Sequence, residues 1–105
     1  MSSFNDRERG FEGKFAHDQD REFRAVARRN RMLGEWAARR MGLENVGDYA
    51  NAVVKSEVDQ PGDEDVLRKV SQDLTGSGLS VPIGEIRAKM DEFLAIARGQ
   101  IEAES

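Results

Sequence analysis

Apolar and polar positions repeat with a helical period along most of the chain. Between Asp20 and Met41, the residues Phe23, Val26, Ala27, Leu33, Gly34, Ala37 and Met41 recur at three- and four-residue spacing, which lines one face of a helix. Gly42 follows as the left-handed stop that helix ends favour. The pattern predicts a second helix over about 47–58, with the stripe Tyr49, Ala50, Val53, Val54 and Val58 and Asn45 as its N-cap. Asp59-Gln60-Pro61-Gly62 breaks it. A third helix is predicted over about 63–75, capped by Asp63, with Glu64 and Asp65 in the first turn and Val66, Leu67, Val70 and Leu74 facing inward. After Gly76-Ser77-Gly78, a fourth runs over about 81–102. Ser80 is its candidate cap, and Ile83, Ile86, Met90, Phe93, Leu94, Ala97 and Ile101 form its stripe. No segment alternates with period two for long enough to suggest a sheet. Residues 20–105 therefore read as an all-α, four-helix bundle.

The first nineteen residues differ. Phe4, Phe11 and Phe15 stand among charged residues, with Gly10 and Gly13 between them. At about 100° per residue the three rings fall within roughly a 40° arc of a helix. That stripe buries too little to offset the ordering of nineteen residues, and two glycines lower the helix propensity further. Residues 1–19 are expected to be a mobile, weakly helical N-terminal arm, disordered or nascent alone and ordered against a partner's groove, with the rings as anchors.

Composition narrows the chemistry. The 105 residues carry 16 basic and 20 acidic side chains, a net charge of −4, one histidine and no cysteine. That excludes a disulfide framework, a thiolate zinc site, a cysteine nucleophile and any multi-histidine metal site. The acidic balance argues against nucleic acid as main partner. No apolar run approaches the eighteen or so residues that span a bilayer, and the first ten residues are too polar for a signal peptide. The expectation is a soluble chain that is not an enzyme and is monomeric when free.

Charge is unevenly spread. Asp20–Met41 holds seven arginines against three acids, and Gly42–Thr75 three bases against eight acids. Arg28, Arg29, Arg31, Arg39 and Arg40 are candidate anion-binding residues, for an acidic protein or a phosphate. The competing reading is a solvated face paired with acids on neighbouring helices. Gly76-Ser77-Gly78 lacks the Gly-Lys-Ser/Thr ending of a phosphate loop, and Gly62-Asp63-Glu64-Asp65 lacks the alternating ligands of a calcium loop. His17 reads as a surface histidine and Trp36 as the edge of the core.

The run from Phe4 to Asp18, Phe-Asn-Asp-Arg-Glu-Arg-Gly-Phe-Glu-Gly-Lys-Phe-Ala-His-Asp, closely resembles the opening of the zeta subunit of alpha-proteobacterial F-type ATP synthases. The resemblance continues through Ala27-Arg28-Arg29-Asn30, Leu33-Gly34-Glu35-Trp36-Ala37-Ala38, Gly62-Asp63-Glu64-Asp65-Val66, Arg68-Lys69-Val70, Ile86-Arg87 and Met90-Asp91-Glu92. It covers essentially the whole chain in order. Asn5 stands where an acid is common.

The resemblance implies an inhibitor of ATP hydrolysis, peripheral on the inner-membrane synthase at its cytoplasmic side. In that family the N-terminal arm enters an alpha/beta catalytic interface of the head near the gamma subunit, becomes helical there and blocks rotation chiefly in the hydrolysis direction. Carried onto this sequence, the partner-binding residues are Phe4, Phe11 and Phe15 as anchors, with Asp6, Arg7, Glu8, Arg9, Glu12 and Lys14 pairing across the interface. Two other classes stay open. One is a regulatory module that binds ADP or ATP through the arginine-rich first helix, and the other is a general helical adaptor.

Overall fold

The computed structural model describes the backbone of residues 3–59 and 62–104 and the side chains of residues 17–57 and 62–104. Four helices follow in order: α1 (Ser3–Met41), α2 (Val46–Asp59), α3 (Asp63–Gly76) and α4 (Ile83–Glu104). Among the described residues there is no strand. α1 is the spine, packing along α2 and α4 and touching α3, which also packs on both other helices. The fold is the all-α four-helix arrangement that the periodicity predicts.

The core follows from the stripes. Leu33 and Ala37 of α1, Val53 of α2, Val66, Leu67, Val70 and Leu74 of α3, and Ile86 and Met90 of α4 form one buried cluster. Trp36, Tyr49 and Phe93 pack against its edge. A smaller cluster of Ala25, Ala97 and Ile101 joins α1 to α4 alone, beside Leu94. Alanines at these places let helix axes approach closely. α1 and α2 approach closely at Gly34, where an added Cβ would lie 2.7 Å from the Ala50 backbone.

The helix ends show how local sequence sets the boundaries. Gly42 has φ 72°, and its N–H donates to the Arg39 carbonyl while the Leu43 N–H donates to that of Ala38. Gly78 repeats the arrangement: φ is 84°, and the Leu79 N–H reaches the Leu74 carbonyl. Both are Schellman stops, satisfying carbonyls that a helix end leaves bare. Asn45 caps α2 as predicted, its Oδ1 accepting from the Asp48 N–H at 3.1 Å while its Nδ2 donates to the Asp48 carboxylate.

Several expectations are corrected. Gly62, not Asp63, occupies the cap position of α3, and no side chain caps that end. The Asp63 carboxylate is held by Arg29 instead. Ser80 does not cap α4, because the helix starts at Ile83 and the Pro82 carbonyl accepts from Glu85 and Ile86. Phe23, placed in the buried stripe, is 67% exposed, and Ile83 is exposed as well. In their stead Ala25, Arg29, Asn30 and Ala38 are buried. Independently of these corrections, the backbone of α1 is continuous from Ser3 to Met41, spanning both the segment expected as the N-terminal arm and the first helix of the bundle.

Candidate partner-binding surface

α1 carries every candidate site residue. The anchors Phe4, Phe11 and Phe15 and the charged set Asp6, Arg7, Glu8, Arg9, Glu12 and Lys14 belong to residues 3–16, whose side chains lie outside the described residues. Their backbone continues the helix that later packs on α2 and α4.

The root of this segment is fixed to the end of α4. Arg98 donates from Nε and Nη2 to the two oxygens of Glu22. Arg28 likewise takes both oxygens of Glu104, at 2.7 and 3.1 Å, and reaches Gln100 at 3.2 Å. Arg24 stands 3.6 Å from the same Glu104. Two-pronged guanidinium–carboxylate pairs fix orientation as well as distance. Hydrogen bonding from Arg98 holds the Glu22 carboxyl below its ordinary range, against a smaller opposing effect of burial. Arg28 does the same for Glu104.

The five candidate anion-binding arginines are not brought together. Arg28 belongs to the α4 contact just described. Arg29 is 1% exposed, donating from Nε to Asn30 Oδ1 and from Nη2 to Asp63 Oδ1, each at 2.9 Å. Arg31 donates to Asn51 at 2.7 Å. Arg39 lies 3.7 Å from Glu35, and Arg40 lies 3.1 Å from Glu85 with its guanidinium over the Trp36 ring. Arg39 and Arg40 share a recess, a shallow space of about 400 Å³ bounded also by Met32, Glu35, Trp36 and Phe93. His17 is exposed. Among the described residues no group of three or more metal-ligating side chains forms, and no helix is long and apolar enough to cross a membrane.

Sequence reasoning missed one feature. Phe23, Val26 and Ala27 of α1 and Val54 of α2 wall an open groove of about 650 Å³. The available signal was the position of Phe23, well round the helix from Ala25 and Arg29, the residues that point into the bundle.

Among curated proteins none matches the chain. Over residues 1–100, however, it matches the family model described as ATPase inhibitor subunit zeta. That span takes in α1, α2, α3 and all but the last turn of α4, so the chain belongs to the zeta family of ATPase inhibitor subunits.

Proposed function

We propose that the chain blocks ATP hydrolysis by an F-type ATP synthase by inserting residues 1–19 at an alpha/beta catalytic interface of the head, near gamma. The observation that carries this reading is the unbroken backbone of α1 from Ser3 to Met41, on a chain of the inhibitor family. A helix of this length spans about 58 Å, far more than α2 at about 21 Å or α4 at about 33 Å can cover. Its first part is therefore available to enter a cleft while its last part stays in the bundle. Positions 4, 11 and 15 fall on one arc of that helix, and the ion pairs of Glu22, Arg24 and Arg28 to α4 hold its root. The bundle then acts as the body that stops the inserted helix from passing further. The alpha, beta and gamma subunits are the partners this mechanism requires.

The test is ATP hydrolysis by the zeta-depleted catalytic head, with the full chain compared with its Phe11→Ala/Phe15→Ala variant. Two buried phenylalanines contribute roughly 3–6 kcal/mol, so potency should fall at least about 100-fold with the bundle still folded. Unchanged potency would remove the arm from the mechanism.

A second reading is supported by the recess at Trp36. An indole, the Phe93 ring and the guanidinium groups of Arg39 and Arg40 together suit an adenine nucleotide, the base on a ring and the phosphates on the arginines. Titration with ADP, followed by the indole fluorescence of Trp36, tests it. The absence of a saturable change at millimolar nucleotide would end it.

A further inference from the structure

The groove between α1 and α2 has three properties that belong together. Its walls are Phe23, Val26, Ala27 and Val54, and Phe23 lies mostly in solvent. Its lining also holds two polar atoms that are buried and find no hydrogen-bond partner among the described residues, Asn30 Nδ2 and Glu57 Oε2. Asn30 is fully buried beneath this lining, and its Oδ1 is already engaged by Arg29 Nε, so the unpaired Nδ2 lies under the groove floor. Buried polar atoms left in this condition are costly and are normally satisfied.

The third property is charge. Among the described residues no lysine or arginine lines the groove, whereas Glu22 and Glu57 do. At about 100° per residue, Arg21, Arg24, Arg28 and Arg31 all fall on the side of α1 turned away from it. The result is an apolar floor with Glu57 at its edge, because Arg98 already holds the Glu22 carboxylate, and among the described residues Glu57 Oε2 finds no hydrogen-bond partner.

We propose that this groove docks an amphipathic helix of another protein, which lays an apolar stripe on Phe23, Val26 and Val54 and brings a lysine or arginine to Glu57. The α1 stretch from Gln19 to Asn30 is about 16 Å long, enough to seat three helical turns by the helix-in-groove mode. A second copy of this chain fits less well, because it would set Glu22 and Glu57 against acids of the same kind. The backbone of residues 3–16 continues the axis of α1 rather than turning back along the groove. This inference does not depend on how the N-terminal segment works.

The test uses the isotope-labelled full chain and two synthetic peptides of about four helical turns. Both carry the same leucine stripe at helical spacing, flanked by lysines in one and by glutamates in the other. The lysine peptide should give saturable amide shifts confined to residues 19–30 and 54–57, and bind at least about tenfold tighter than the glutamate peptide. Glu57→Gln, which keeps the shape and removes the charge, should abolish most of that preference, and Phe23→Ser should abolish binding with the helical circular dichroism intact. Equal binding of both peptides, shifts centred elsewhere, or no saturable shift at millimolar peptide overturns the proposal. So does a concentration-dependent dimer in sedimentation that Phe23→Ser dissolves, which would make the occupant a second copy.

Discussion

Arg29 and Asp63 join the middle of α1 to the first residue of α3, with Nη2 2.9 Å from Oδ1. The arginine is buried, while the Asp63 side chain is 61% exposed. The pair is thus a buried cation reaching out to a carboxylate at the surface. Removing the carboxylate leaves the cation buried, although water at the open end can partly replace it. Asp63→Ala should destabilise the fold by about 1–2 kcal/mol, below the usual cost of breaking a fully buried pair. Arg29→Ala should cost at least twice that, because it also opens a cavity and strips Asn30 Oδ1 of its donor. Urea midpoints of the two variants check the order, and a larger loss for Asp63→Ala would contradict it.

The link between α1 and the end of α4 gives a pH dependence with a definite sign. The folded-state pKa values of Glu22 and Glu104 are lowered from 4.5 by hydrogen bonds from Arg98 and Arg28. Groups lowered in this way add stability that is present above the unfolded value and lost as pH falls through the folded one. The Glu22→Gln/Glu104→Gln variant should therefore melt below the wild type at pH 7. The gap should close as pH falls below about 4.5 and shrink in molar salt at neutral pH. A gap independent of both would assign the effect to packing.

Tyr49 ties α2 to α3 by donating to Asp73 Oδ2 at 2.7 Å, and Lys69 reaches the same oxygen at 3.2 Å. Burial, reinforced by the Asp73 carboxylate, pushes the phenol far above its ordinary value of 10.0. A raised folded pKa for an acid means that stability is lost as pH rises past the unfolded value. Tyr49 is the only tyrosine of the chain, so phenolate absorbance reports on it alone. That absorbance should appear together with the loss of helical circular dichroism and not before it. Ionisation of a still-folded chain near pH 10 would show the phenol to be open to water.

Much of the architecture is legible from apolar spacing because α3 and the later part of α1 are covered on one side only. Val66, Leu67, Val70 and Leu74 are all buried as their stripe predicts. The reading fails where cover changes along a single helix. Before Leu33, α1 packs on α4 through Ala25, so an alanine points inward while Phe23 faces the open groove. Periodicity ranks phenylalanine above alanine and so turns the stripe the wrong way. Arg29 is hidden for another reason: its partner Asp63 lies thirty-four positions away, and nothing local marks the pair. The same pairing takes Asp63 away from the cap expected of it. For the N-terminal segment, the residue types and their arc are legible, but under the proposed function what they touch belongs to a second molecule.

Two glycines on packed helices should respond oppositely to alanine. At Gly34 a Cβ would lie 2.7 Å from Ala50 Cα and 3.2 Å from a Val53 methyl. Overpacking of about 1–3 kcal/mol should exceed the roughly 1 kcal/mol gained in helix propensity, so Gly34→Ala should destabilise. At Gly99 a Cβ would meet nothing within 4 Å. Gly99→Ala should then stabilise by about 0.5–1 kcal/mol. Thermal midpoints moving in the same direction for both would show that the α1–α2 contact is looser than drawn.

Gly10 and Gly13 offer the complementary test on the N-terminal segment. Both lie within α1, where glycine is less favourable than alanine by about 0.8–1.0 kcal/mol each. If residues 1–19 act as a helix in the catalytic interface, ordering that helix is part of the cost of binding. Gly10→Ala/Gly13→Ala lowers this cost by up to about 2 kcal/mol, and inhibition of ATP hydrolysis should tighten by as much as roughly 30-fold. Carbon chemical shifts of residues 3–16 in the free chain should move toward helical values at the same time. Tighter inhibition with no gain in helicity would mean that the new methyl groups act by contact. Greater helicity with weaker inhibition would mean that the interface requires glycine at those positions, for close approach or for a break in the helix.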